Sequence, residues 1–146
     1  MTNSRKRNGF TLVEVLIVVV IMAILAATII PQFSDSTKDA KINTSKFNLH
    51  TIRSQIELFK SQHDGKVPTN LADLTLKSKA DGTTGTGALF VYGPYLATLP
   101  NNPFNNVNTV GATATNPPTA ATGTNGWLYH AASGGVFIDN TDLYTQ

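Results

Sequence analysis

Few side chains in this sequence are placed where they could do chemistry, and the most conspicuous is a carboxylate. Glu14 lies in "GFTLVEVLIVVVIMAILAATIIP", where every residue from Phe10 to Ile30 is apolar except Thr11, Glu14 and Thr28. A charge near the centre of a bilayer costs about 2.5–3.5 kcal/mol. A carboxylate in such a run therefore needs a partner that neutralises it, or a use. The three histidines, His50, His63 and His130, offer less: none has a second ligand at a metal-like spacing such as i, i+4. They read as surface or packing residues. With no cysteine, the chain has no disulfide, thiolate metal site or cysteine nucleophile. No phosphate-binding loop, dinucleotide fingerprint, nucleophile elbow or carboxylate pair occurs, and "GTTGTG" lacks a strand before it and a helix after it. The expectation is a protein that is not an enzyme.

The elements that must position Glu14 follow from the patterning. The 21 residues from Phe10 to Ile30 would span roughly 30 Å as a helix, the thickness of a hydrocarbon core. Three of the eleven basic residues, Arg5, Lys6 and Arg7, precede this run; without them eight basic side chains face nine acidic ones. The net charge of +2 thus comes from the leader. No basic stripe marks the rest, so nucleic acid is not an expected partner. A secretory signal could use Ala23, Ala26 or Ala27 for cleavage, but its apolar centre would not begin with Glu. A plain membrane anchor tolerates Gly9 and Glu14 and explains neither.

Beyond Pro31 the period changes. Ile42, Leu49, Ile52, Ile56 and Phe59 fall on one stripe, which predicts an amphipathic helix over 32–63, stopped by Gly65. Arg53 and Glu57 are spaced to pair at i, i+4. Pro31 either ends a first helix or kinks a longer one; a kink is expected, because helical patterning resumes at once. "GKVPTNLADLTLKS" predicts a turn and a short helix capped by Thr69 or Asn70. "KADGTTGTG" predicts a flexible loop, and "ALFVYGPYLATLPNNPF" an ordered connection broken by Gly and Pro. Residues 105–126, rich in Asn, Thr, Ala, Gly and Pro, predict a mobile surface loop. "GWLYHAASGGVFID" predicts a hairpin, with Trp127, Tyr129 and Ala131 alternating in one arm, Val136 and Ile138 in the other.

The stretch "KRNGFTLVEVL", with its basic leader and an apolar run ending at Pro31, resembles the N-terminal signal of the type IV pilin and type II secretion pseudopilin family. The long helix ending in "FKSQHDGKVPT", the "GPYLATLPNNPF" connection and the "GWLYHAASGGVF" hairpin are similar to the major pseudopilin of type II secretion. The resemblance implies that a prepilin peptidase cuts between Gly9 and Phe10 and N-methylates Phe10. It further implies that Glu14 pairs with the N-terminal amine of a neighbouring subunit during assembly, and that Pro31 bends the long helix. Three segments follow: a cleaved basic leader (1–9), a transmembrane and filament-core helix (10–31) and an exported pilin-like domain (32–146). Arg5, Lys6 and Arg7 would keep the N-terminus in the cytoplasm, giving a single-pass inner-membrane protein with a periplasmic or extracellular mature domain.

Two departures from the family pattern stand out. Type IV major pilins close a C-terminal loop with a disulfide, which this chain cannot form. Major pseudopilins hold calcium in an acidic C-terminal loop, whereas here only Asp139 and Asp142 follow the hairpin. Two carboxylates, Asn140, Thr141 and backbone carbonyls could only just approach the six to eight oxygens calcium takes. A solvated polar tail is the competing reading.

The expected fold is α+β, a long kinked helix packed on a small antiparallel sheet. The expected function is a structural subunit of a type II secretion pseudopilus or type IV pilus, polymerised with copies of itself. The resemblance implies further partners: an assembly ATPase, an inner-membrane platform protein and a secretin. A membrane-tethered binding module, using residues 105–126 to capture a ligand or exported substrate, is the rival.

Overall fold

The computed structural model describes residues 9–145, so Arg5, Lys6 and Arg7 of the leader lie outside the described residues. Helix α1 spans Leu12–Gln62 and contains Pro31 without interruption. Proline removes one helical N–H, yet the chain remains helical on both sides, so termination at Pro31 is ruled out. Near it the hydroxyls of Thr28 and Ser36 donate to the carbonyls of Ile24 (3.1 Å) and Gln32 (2.9 Å), adding local bonds to the helix backbone. The helix stops where Asp64 and Gly65 turn to φ +53° and +79° and the Gly65 N–H closes on the Lys60 carbonyl at 2.9 Å. That left-handed end is where glycine is favoured.

The described chain divides into two units, one running to Ala40 and the other from Lys41. In the first, the apolar side chains are uncovered among the described residues: Leu12, Val15, Leu16, Val19, Ile24 and Ile30 are each at least half exposed. This part of α1 is long and apolar enough to cross a membrane.

The second unit is built on the stripe. Leu49, Ile52, Ile56 and Phe59 are buried as the spacing predicts, and Ile42 packs at the margin. A 3-10 turn, Leu71–Thr75, adds Leu71 and Leu74 to this core. It is capped by Asn70, whose side chain accepts the Ala72 N–H at 3.1 Å while Asp73 accepts the Asn70 N–H at 2.8 Å. Strands β1 (Lys77–Ser78) and β2 (Thr84–Gly85) pair antiparallel, so the segment expected to be a loop closes a small hairpin instead. Asp81 explains why: its side chain accepts the Thr83 N–H at 2.8 Å and fixes the turn.

The second sheet has the order β3-β4-β5: Val110–Ala112, Trp127–His130 and Gly135–Ile138. The expected hairpin is β4–β5, antiparallel, with Trp127 opposite Ile138 and Tyr129 opposite Val136. Ala131 falls in the turn rather than the strand. Strand β3 runs parallel to β4, making the sheet mixed, and it arises from within 105–126, the stretch expected to lack structure. The core face carries Trp127, Tyr129, Val136 and Ile138 against the helix stripe, Leu99 and Leu143. The polar groups of buried Trp127 and Tyr129 are satisfied: Trp127 Nε1–H donates to the Pro100 carbonyl at 2.8 Å and the Tyr129 hydroxyl to the Pro68 carbonyl at 2.6 Å. Gly126 enters β4 so close to its neighbour that a Cβ would lie 2.3 Å from the Val107 carbonyl oxygen, which only glycine avoids.

Arg53 does not make the expected side-chain pair with Glu57. Its guanidinium donates to the Val136 carbonyl at 3.0 Å and lies over the Phe137 ring, while Glu57 pairs with Lys60 at 2.9 Å. Anchoring across to β5 outweighs an i, i+4 pair that contributes only about 0.2–0.5 kcal/mol.

Candidate functional site

Of the residues singled out from the sequence, Gly9 and Phe10 immediately precede α1 and Glu14 lies in its first turn. Thr11 is the N-cap, and Glu14 stands three positions later. The Thr11 N–H and hydroxyl each donate to Glu14 Oε2 at 2.8 Å, and the Glu14 N–H approaches Thr11 Oγ1 at 3.2 Å. This is a capping box, which satisfies helix donors that otherwise lack partners. The positive end of the helix dipole also favours a carboxylate in the first turn. Both bonds from Thr11 fall on Oε2; Oε1 takes neither. Thr11 was not singled out from the sequence, though its signal is plain in "TLVE", a Thr-x-x-Glu box ahead of an apolar run.

Gly9 has no packing reason to be glycine: a Cβ there would meet nothing within 4 Å, and its φ is outside the left-handed region. Phe10 is 88% exposed. Pro31 lies 17 residues beyond Glu14, within the uncovered part of α1.

In the second unit the histidines do separate jobs. His50 is exposed. His63 is fully buried, with Nδ1 2.7 Å from the Phe59 carbonyl and Nε2 3.0 Å from Ser78 Oγ, stacked on Phe59. His130 Nδ1 meets Ser133 Oγ at 2.7 Å in the β4–β5 turn. Among the described residues, no three His, Cys, Asp or Glu side chains gather to hold a metal.

The candidate calcium ligands part company. Asp142 is exposed, while Asp139 is buried at the end of β5. Asp139 Oδ1 accepts the N–H groups of Thr122 (2.6 Å) and Gly123 (2.8 Å); Oδ2 accepts the Thr122 hydroxyl (2.5 Å) and the Asn125 N–H (2.8 Å). Burial works against ionisation, but the Thr122 hydroxyl and the three N–H donors outweigh it and hold the carboxyl below its usual range. Two donors on each oxygen form a nest that suits an anion and turns N–H groups, not oxygens, toward the carboxylate. That donor set does not fit a cation.

Over residues 4–30 the chain matches the prokaryotic N-terminal methylation motif. The type II secretion system core protein G of Pseudomonas aeruginosa is 31% identical over 102 residues, covering 70% of this chain and 71% of that protein. The chain belongs to the type IV pilin and type II secretion pseudopilin family. Members on the pilus side are similar as well: the type IV major fimbrial protein FimA of Dichelobacter nodosus is 33% identical over 110 residues, 73% of this chain and 60% of FimA. The ComG operon protein 3 homolog of Bacillus licheniformis is 32% identical over 67 residues, 46% of this chain and 68% of that protein. No solved structure matches the chain. Family membership and the uncovered apolar half of α1 together make the chain a membrane-anchored protein.

Proposed function

We infer that this chain is a structural subunit of a pilus or pseudopilus, processed by a prepilin peptidase and polymerised through its N-terminal helix. The observation that carries the reading is the lone carboxylate of an uncovered apolar helix. Glu14 sits four residues after Phe10, held by Thr11 through one oxygen only. An uncovered helix of this kind needs lipid before assembly and neighbouring helices after it, because its apolar side chains are left exposed among the described residues.

Cleavage between Gly9 and Phe10 creates an α-ammonium four residues before Glu14. Methylation of Phe10 keeps that charge. A carboxylate and an ammonium brought together in an apolar surrounding offset much of the burial cost of either alone. When the ammonium belongs to a neighbouring subunit, the gain exists only in the filament, so pairing drives addition and fixes register. Gly9, with no steric reason to be glycine, fits a residue retained for the peptidase.

The basic leader holds the N-terminus in the cytoplasm. The subunit waits as a single-pass inner-membrane protein, with its second unit in the periplasm or, in a filament, outside. Extraction from the membrane requires an energy source and a guide, hence an assembly ATPase and a membrane platform; a secretion role adds a secretin. Mass spectrometry of the protein from its own membranes tests the processing step. The expected mature chain starts at Phe10 and carries one added methyl. A chain that retains residues 1–9, or starts near Ala27, overturns the reading.

A further inference from the structure

The turn from Thr122 to Gly126 brings the chain back to β4 and closes on the end of β5, and side chains satisfy its polar groups on both sides. Its N–H groups, at Thr122, Gly123 and Asn125, are taken by Asp139. Its carbonyls go to asparagines. Asn105 Nδ2 donates to the Gly123 carbonyl (3.2 Å) and the Asn125 carbonyl (2.7 Å), and Asn102 Nδ2 donates to the Gly126 carbonyl (3.1 Å). Both Asn102 and Asp139 are essentially without solvent exposure.

A cation that organises a loop does so by gathering carboxylate and carbonyl oxygens around itself. Here each of those oxygens already accepts from an N–H or O–H group. A calcium ion would have to strip four donors from Asp139 and turn the backbone N–H groups away from it. We propose that Asp139, with Asn102 and Asn105, is an internal clamp that takes the place of a bound calcium in this subunit, so that its outer domain folds and holds its 105–126 segment without metal.

The clamp also accounts for order in a segment that buries little. A carboxylate receiving two N–H bonds in the ring Thr122–Gly123 and a third from Asn125 fixes the backbone of the turn directly. Gly126 then delivers Trp127 to the core, where its indole reaches Pro100. The role is local: Asp139 supports the path of 122–126, and the β4–β5 hairpin has its own ladder.

The test uses the full chain in detergent micelles, followed by thermal melting and by amide hydrogen exchange. Wild-type protein is melted in millimolar calcium chloride and again in excess chelator. The expected result is the same melting temperature in both. Asp139→Asn keeps the shape and removes the charge; it should melt about 5–10 °C lower in both buffers. Exchange at residues 122, 123 and 125 should rise by about tenfold or more, while Leu128 and Phe137, paired across the hairpin, stay protected. Asn105→Ala should expose the same turn without altering any carboxylate. A wild-type melting temperature that rises with calcium and falls with chelator overturns the proposal. So does Asp139→Asn with unchanged exchange at residues 122, 123 and 125. The calcium comparison needs no mutant, so a variant that fails to fold still leaves a decisive measurement.

Discussion

Glu14→Gln separates the capping of α1 from the proposed pairing with a neighbouring subunit. Glutamine keeps an acceptor for the Thr11 N–H, so the capping box and the start of α1 survive. What it loses is the negative charge that the proposed pairing sets opposite a neighbour's ammonium. Removing one partner of a buried ion pair costs about 3–5 kcal/mol, because the other charge is left uncompensated. At about 1.4 kcal/mol per tenfold, the variant should enter filaments on the order of a hundred to a few thousand times less readily than wild type. Thr11→Ala provides the contrast. It removes the capping hydroxyl but leaves the carboxylate, and an N-cap loss of about 1 kcal/mol corresponds to about fivefold. The assay is co-expression of each variant with wild type, shearing of filaments, and quantitative mass spectrometry of variant-specific peptides in filament and membrane fractions. Both variants should be cleaved and should keep a folded second unit, since neither residue belongs to it. Incorporation of Glu14→Gln within about fivefold of wild type would refute the pairing argument. Equal losses for Glu14→Gln and Thr11→Ala would place the effect in the helix start rather than in the charge.

Other outcomes test the second unit. Tyr129→Phe leaves the Pro68 carbonyl buried without its donor and should cost about 1–3 kcal/mol in chemical denaturation. Burial, and after it the charge of Asp73, raise the Tyr129 phenol well above its ordinary value. Its contribution is therefore complete below about pH 10 and lost as pH rises through the folded-state value, so wild type and Tyr129→Phe should converge only in strong alkali. Ser45 Oγ is buried on α1 with no hydrogen-bond partner among the described residues, so Ser45→Ala should raise stability by about 1 kcal/mol, read from the urea midpoint. Phe59→Ala empties the centre of the core, where Phe59 stacks on His63, and should cost about 3–5 kcal/mol in the same measurement.

Periodic burial was legible before any coordinates. The Leu49–Phe59 stripe and the β4–β5 hairpin follow from spacing, since helix and strand geometry repeat at fixed intervals. The stop at Gly65 and a cap at Thr69 or Asn70 follow from residue type. The structure selected Asn70 and set Trp127 opposite Ile138. The lone carboxylate four residues after Gly-Phe, at the head of an apolar run, stands out in the sequence by its cost in a membrane. The sequence also contained the Thr-x-x-Glu box that engages Glu14 locally, a short-range signal that becomes visible once the helix start is placed.

Residues 102–139 were different. A composition of Asn, Thr and Gly says only that little apolar surface is available, and low burial alone predicts a loop without order. Order came instead from polar contacts between residues far apart in the chain: Asp139 with Thr122, Gly123 and Asn125, Asn105 with the carbonyls of Gly123 and Asn125, and β3 in parallel register with β4. The same held for Arg53, whose partner across 83 residues displaced the neighbour its spacing offered. Periodicity records which face of an element is buried. It does not record which buried donor meets which acceptor, because those pairs form only when distant segments have been brought together, and that pairing was left to the tertiary structure.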